Sequence, residues 1–200
     1  MISLQIDYLD LYLIHWPVPT KHVAAYQCLE RLKQEGFVRS IGVSNYTIED
    51  FEELLESCQV VPAVNQLEVN PFLFRSTTIE YFQNKGCLIQ GYRCLANGKF
   101  SVPLVLDLAA KHNVFPSAIL VGFLLQSGVG FLGKSSKRER IQENFCSESS
   151  TFQLTLDEMN ELKSLTTAIK KEEFVALYRI CCIRDTHVSE DLVKAHVTCD

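Results

Sequence analysis

Short apolar runs recur along this chain every roughly 25–30 residues, and a helical pattern follows each one. That alternation constrains the fold more than any other feature. Strand followed by helix, repeated, demands parallel strands in one sheet with helices laid over its faces. Asp7–His15, Val38–Val43, Pro62–Leu67, Cys87–Gly91 and Val129–Leu132 read as strands. They are apolar on both faces, as helix-covered strands are. Helices are expected at Lys21–Glu35, from Thr47 through "FEELLESC", and at Ser76–Lys85, Pro103–His112, Ser117–Gln126, Lys137–Phe145 and Leu156–Ile169. Their punctuation agrees. Gly36 and Gly86 stand where C-terminal caps belong, Asp50 completes a capping box with Thr47, and Pro116 suits a first turn.

The alternation leaves an α/β fold of one of two kinds, an open doubly wound sheet or a (β/α)8 TIM-type barrel. No GxGxxG follows any strand, which counts against the dinucleotide-binding open sheet. In a barrel, chemistry gathers where strands end. There stand His15, Ser44 with Asn45, Gln66, Tyr92, and Lys134 with Ser135. One strand ending on a histidine means little, but successive strands ending in polar groups describe a shared rim.

Composition removes other classes. A length of 200 residues, 47% of them hydrophobic, suits one domain with a sizeable core. A net charge of −5 with no strongly basic segment argues against nucleic acid as a partner. The N-terminus lacks the basic-then-apolar pattern of a secretory signal. Asn113–Gly133 carries no charge, yet its Pro116, Ser117, Gln126 and glycines fit a helix, a turn and a buried strand better than a membrane span. Eight cysteines lie scattered in apolar segments with no CxxC and no zinc-ligand spacing, so reduced thiols, a cytoplasmic setting and no metal are expected. The vicinal Cys181 and Cys182 rarely meet disulfide geometry without strain.

One segment suggests a ligand by its own chemistry. After the strand Val129–Leu132 come Gly133, Lys134, Ser135 and Ser136, and Ser136 with Glu139 reads as a capping box. The helix start offers N–H groups and a positive dipole end to an anion. Arg140, Glu143 and Asn144, spaced i, i+3 and i+4, share one face of that helix.

The segments "DYLDLYLIHWP", "GFVRSIGVSNY", "VNQLEVNP" and "GKSSKRERIQEN" resemble, in order, the signature stretches of the aldo-keto reductases, and the resemblance runs from about residue 4 to about residue 170. It implies a barrel that uses NADPH/NADP+ to reduce small aldehydes or ketones to alcohols. His15 matches the family's catalytic histidine, which hydrogen-bonds the substrate carbonyl, and Trp16 matches a wall of the substrate pocket. Ser44, Asn45 and Gln66 match residues that hold the nicotinamide carboxamide, a task suited to side chains with both donors and acceptors. Tyr92 matches the tyrosine that stacks on the nicotinamide ring. Lys134, Ser135, Arg140, Glu143 and Asn144 match the site of the adenosine 2′-phosphate and adenine. The chain departs from the family at Gly133, where proline is usual, at "GYRCLANG", which replaces a serine-proline-leucine stretch, and at Asn70, where many members have histidine.

The resemblance also implies that something is absent. The family's catalytic aspartate, tyrosine and lysine lie on units before the histidine strand, so about five of eight strands are expected here, against ~250 residues for a whole barrel. Tyr8 and Tyr12 are odd numbers of residues from His15 and face the other way along the strand. The sequence is therefore read as a partial barrel over residues 1–170 with a variable tail over 171–200. The exposed edges of such a barrel would favour self-association. The alternatives are a non-catalytic NADPH-binding module and an incomplete gene model that starts at an internal methionine.

Overall fold

The computed structural model describes residues 4–98, 101–148 and 152–183. Five strands, β1 (Leu9–Ile14), β2 (Val38–Ser44), β3 (Val64–Glu68), β4 (Leu88–Tyr92) and β5 (Val129–Phe131), form one sheet in the order β1-β2-β3-β4-β5. The pairing is parallel, with Leu11 beside Ser40, Val43 beside Asn65 and Ile89 beside Val129. Strand order equal to chain order means winding in one direction; a doubly wound sheet reverses partway. The helices are α1 (His22–Gln34), α2 (Ile48–Leu55), α3 (Ser76–Asn84), α4 (Pro103–His112), α5 (Pro116–Gln126), α6 (Arg138–Glu148), α7 (Leu156–Lys163) and α8 (Ala168–Ile183). Periodicity alone located each to within a few residues, except at the C-terminal end.

The described residues of Met1–Leu67, Ser76–Leu88 and Glu172–Asp200 make one compact unit, and those of Glu68–Arg75 and Ile89–Lys171 make another. In the first, Ile41 and Val43 of β2 are buried with Phe51 and Leu54 of α2 and Phe82 of α3. The Phe51 and Phe82 rings meet edge to face, centroids 4.7 Å apart, a favoured aromatic geometry. Thr47 caps α2 as expected: its Oγ1 accepts the Asp50 N–H at 3.1 Å, and the Asp50 carboxylate accepts the Thr47 N–H at 3.0 Å.

β1 departs from the expectation of strands covered on both faces. Tyr8 and Tyr12 are 38% and 45% exposed, and Asp10 reaches only the surface pair with Arg39 at 2.9 Å. The reason is positional. β1 ends the sheet order, so the apolar count of its sequence overstates its burial.

In the second unit, the uncharged stretch expected to be helix, turn and strand is that: α5, a turn at Gly128 (φ 70°), then β5. Ile119, Leu120, Val121, Phe123 and Leu124 of α5 are fully buried, and Phe123 meets Phe74 at 4.9 Å. No single described helix is long and apolar enough to cross a membrane; α4 and α5, bent by 90°, pass only as a pair and only by length and composition.

The helix expected over Leu156–Ile169 is two helices. Ser164 turns its Oγ back to the Glu161 carbonyl at 2.6 Å. Thr166 Oγ1 accepts the Phe74 N–H at 2.9 Å and donates to the Pro71 carbonyl at 3.0 Å. Thr167 Oγ1 then accepts the Lys170 N–H at 3.3 Å, opening α8. Three hydroxyls that compete for backbone partners break the run that apolar spacing alone would continue. Part of the segment expected as a variable tail is thus helical, and residues 184–200 lie outside the described set.

α7 carries a measurable pH dependence. Buried Glu158 caps the helix with Thr155 and accepts from Lys111 Nζ at 2.8 Å, with His112 Nε2 2.9 Å away. Burial works to raise its pKa, but Lys111, the Thr155 backbone N–H and His112 outweigh it and hold the carboxyl near 2. The folded state binds this proton less tightly than the unfolded chain does. Glu158 therefore stabilises above the ordinary value of 4.5, and the contribution fades as pH falls towards 2. Urea unfolding of the wild type and Glu158→Gln should show a gap at pH 6 that narrows steadily below pH about 4.5. A gap independent of pH would contradict this.

Candidate functional site

The expected site residues fall in both units. In the first, β1 delivers His15 to its C-terminal end with the side chain exposed and Trp16 half-buried beside it, ring centroids 5.8 Å apart. The other neighbour of Trp16 is Tyr178 of α8, edge-on at 6.0 Å. Ser44 and Asn45 close β2, and both are buried. Asn45 takes a left-handed backbone (φ 62°), which costs little for asparagine and turns the chain sharply at the strand end. Its amide nitrogen donates to the His15 carbonyl at 3.0 Å and to Ser44 Oγ at 3.0 Å. Ser44 Oγ donates to the Gln66 carbonyl at 2.8 Å, and the Asn45 N–H reaches the same oxygen at 2.9 Å. Ser44 and Asn45 therefore brace the ends of β1, β2 and β3 against one another.

In the second unit, Lys134, Ser135, Arg140, Glu143 and Asn144 line one cavity of about 440 Å³, as their spacing suggested. The local start of α6 differs from the expectation. The helix begins at Arg138, and it is Ser135, not Ser136, that takes a backbone N–H, from Lys137 at 3.1 Å. A Cβ at Gly133 would lie 2.8 Å from the Phe131 ring, which already fills the space. Tyr92 ends β4 half-buried, and its carbonyl accepts the Val69 N–H at 3.3 Å.

The cavity's charge is lopsided. Lys134, Lys137, Arg140 and Arg93 line it against one carboxylate, Glu143, which accepts a hydrogen bond from Ser117 Oγ. Its other polar walls are Asn97, the Gly98 backbone, Ser136 and Asn144. Four cations and N–H-bearing turns suit a polyanion with a polar organic body. Cys94 also faces it, but burial pushes its thiol up to about 11, so it stays protonated and unreactive at neutral pH. Reading by spacing missed Arg93, Asn97, Gly98 and Ser117. These come from the "GYRCLANG" stretch and the first turn of α5, whose only sequence signal was the departure at that stretch.

A second hollow, of about 590 Å³, lies in the first unit along α1. Its Glu30 carboxylate is spent on the backbone N–H groups of Gln59 and Val60, at 2.6 and 2.7 Å. Among the described residues no cluster could hold a metal ion, and the described cysteines are free thiols.

Parallel strands with polar ends, wound in one direction and carrying a cation-lined cavity at a helix start, define an α/β protein with a cavity whose charge suits an anion. The Aldo/keto reductase family pattern matches residues 2–167, and the chain belongs to that family. It is 37% identical to the glyoxal reductase of Bacillus subtilis over 163 residues, 81% of this chain and 58% of that protein. It resembles the aldose reductase of Schistosoma japonicum at 34% identity and a TM-score of 0.77, covering 82% of this chain and 60% of the other. It resembles an aldo-keto reductase of Bombyx mori, solved in complex with NADP, at 27% identity and a TM-score of 0.76, with the same coverage. The chain thus spans about 60% of the length of such relatives.

Proposed function

We propose that this chain binds NADP(H) and serves an oxidoreductase that reduces small aldehydes or ketones to alcohols. The observation that carries the reading is the cavity at the head of α6, whose donor set fits a 2′-phosphorylated nucleotide. Lys134, Ser135 and Arg140 would hold the phosphate, and Glu143 and Asn144 the adenine, through the acceptors and donors that each carries. Gln66, with Ser44 and Asn45 behind it, is assigned to the nicotinamide carboxamide, and Tyr92 to the face of the ring. When bound, NADPH supplies the hydride. His15, exposed and held by its backbone to Asn45, would give an imidazole N–H to the substrate oxygen, while Trp16 walls the pocket. Glyoxal is the first substrate to try, because a relative is named for its reduction.

Reduction also delivers a proton to the carbonyl oxygen. Tyr178 is unsuited to that task. It is buried, and burial followed by Asp50 pushes its pKa far above the ordinary tyrosine value. That proton is therefore assigned to a group other than Tyr178.

Calorimetric titration of the double variant Lys134→Ala/Arg140→Ala tests the assignment. Losing two charge-assisted contacts should weaken NADP+ by about 100-fold and leave NAD+ nearly unchanged. Equal losses for the two cofactors, or none, would overturn it.

A further inference from the structure

Asn65 is fully buried in β3, and its side chain is spent on one residue of a neighbouring turn. Its Nδ2 donates to the Tyr46 carbonyl at 3.1 Å, and its Oδ1 accepts the Tyr46 N–H at 3.4 Å. Both bonds go to one residue, as between paired residues of two strands, so the side chain fixes the position and the tilt of that residue's backbone. A carboxylate has no donor for this task and an aliphatic chain has neither group; an amide has both.

Tyr46 needs such a hold. It stands between Asn45, in left-handed backbone at φ 62°, and Thr47, the N-cap of α2. Its ring is fully buried edge-on to His22, centroids 5.4 Å apart, but its hydroxyl has no hydrogen-bond partner among the described residues, so packing alone orients the ring. β3 thus grips the turn at both ends. The Gln66 carbonyl takes Ser44 Oγ and the Asn45 N–H, and the Asn65 side chain takes Tyr46. Asn45, in between, donates to the His15 carbonyl. Asn65 and Gln66 are successive in a strand, so their side chains leave opposite faces. Gln66 is assigned to the ligand above, and Asn65 is committed to the turn on the other face.

We propose that Asn65 is a positioning residue for the nicotinamide end of the site. It holds the left-handed turn at Asn45 through Tyr46, and so keeps Ser44, Asn45 and the His15 backbone in place for the carboxamide. The inference rests on the NADP(H) reading above and adds to it a residue that would touch neither cofactor nor substrate.

Amide hydrogen exchange and titration calorimetry together test it. In Asn65→Ala the Asn45 and Tyr46 amides should exchange about tenfold faster, while those of Ile41 and Val43 in β2 keep their rates. A role in stability alone would speed all four by one factor, because they would then open together in global unfolding. The same variant should weaken NADP+ by about tenfold and leave adenosine 2′-monophosphate, which has no nicotinamide, unchanged. Asn65→Asp is the rescue, and it serves if the alanine variant folds poorly. The introduced carboxyl cannot donate to the Tyr46 carbonyl when ionised but can when protonated, and burial favours the protonated form. The Cys87 thiol beside the Asn65 backbone stays protonated throughout, since burial pushes it up to about 12. The NADP+ affinity of Asn65→Asp relative to wild type should therefore recover several-fold between pH 8 and pH 6. A uniform rise in exchange, equal weakening of both ligands, no weakening, or an Asn65→Asp affinity that stays low at both pH values would overturn the inference while the NADP(H) reading stands. Failure of the wild type to bind NADP+ would overturn both.

Discussion

Replacing Asp50 by alanine should cost about 3 kcal/mol of stability. The Asp50 carboxylate is 4% exposed and accepts from three donors: the Thr47 N–H at 3.0 Å, Thr47 Oγ1 at 2.8 Å and the Tyr178 hydroxyl at 2.5 Å. Alanine removes half of the capping box of α2, worth about 1 kcal/mol. It also takes the carboxylate acceptor from the buried Tyr178 hydroxyl, leaving it the weaker bond with Cys182, and losing such a buried partner costs about 1–3 kcal/mol. Tyr178→Phe should be far milder, near 1 kcal/mol, because Asp50 keeps Thr47. The two changes should be non-additive in urea unfolding, since both remove the same hydrogen bond. Additive losses would mean that α8 does not dock on α2 through this pair. The pair also holds the Trp16 wall, so Asp50→Ala should quench or shift the fluorescence of Trp16, the only tryptophan, below the unfolding transition.

Gly42→Ala is the second. Gly42 lies in the middle of β2, and an added Cβ would stand 2.5 Å from the Val64 carbonyl oxygen and 2.8 Å from Leu13 Cδ2. The first obstacle is backbone, so the strand must move rather than a side chain. Overpacking of this kind costs about 3 kcal/mol. Gly130 in β5 is the control. Its nearest neighbour would be 3.6 Å away, ordinary contact, and Gly130→Ala should change stability by less than about 0.5 kcal/mol. Thermal unfolding of the two variants side by side reads the difference. Equal effects would show that β2 tolerates local widening.

Periodicity and punctuation made most of this fold legible. Strand spacing located β1 to β5, and Thr47 with Asp50 spelled out the cap of α2 within four residues. What stayed hidden has physical causes. The exposure of Tyr8 and Tyr12 depends on which strands flank β1, which local apolar counting does not encode. The split between α7 and α8 turns on hydroxyl bonds from Thr166 to a segment more than ninety residues earlier. Asp50 and Tyr178 are 128 residues apart, and nothing in either neighbourhood announces the other.

The site divides in the same way. Lys134, Ser135, Arg140, Glu143 and Asn144 were legible because one short segment carries them at helical spacing, and one cavity gathers them. Arg93 was not, because its place depends on a run of left-handed residues and on Asn70 and Glu68 from the end of another strand. Ser44 and Asn45 were correctly placed at a strand end. The structure adds that they brace their neighbours, so loss of either should disturb His15 through its carbonyl as well as any ligand.

The most direct test of the central claim is a crystal structure of the chain grown with NADP+. A 2′-phosphate is expected at the start of α6, in contact with Lys134 and Arg140. Cofactor density elsewhere, or a cavity that stays empty at saturating NADP+, would contradict it.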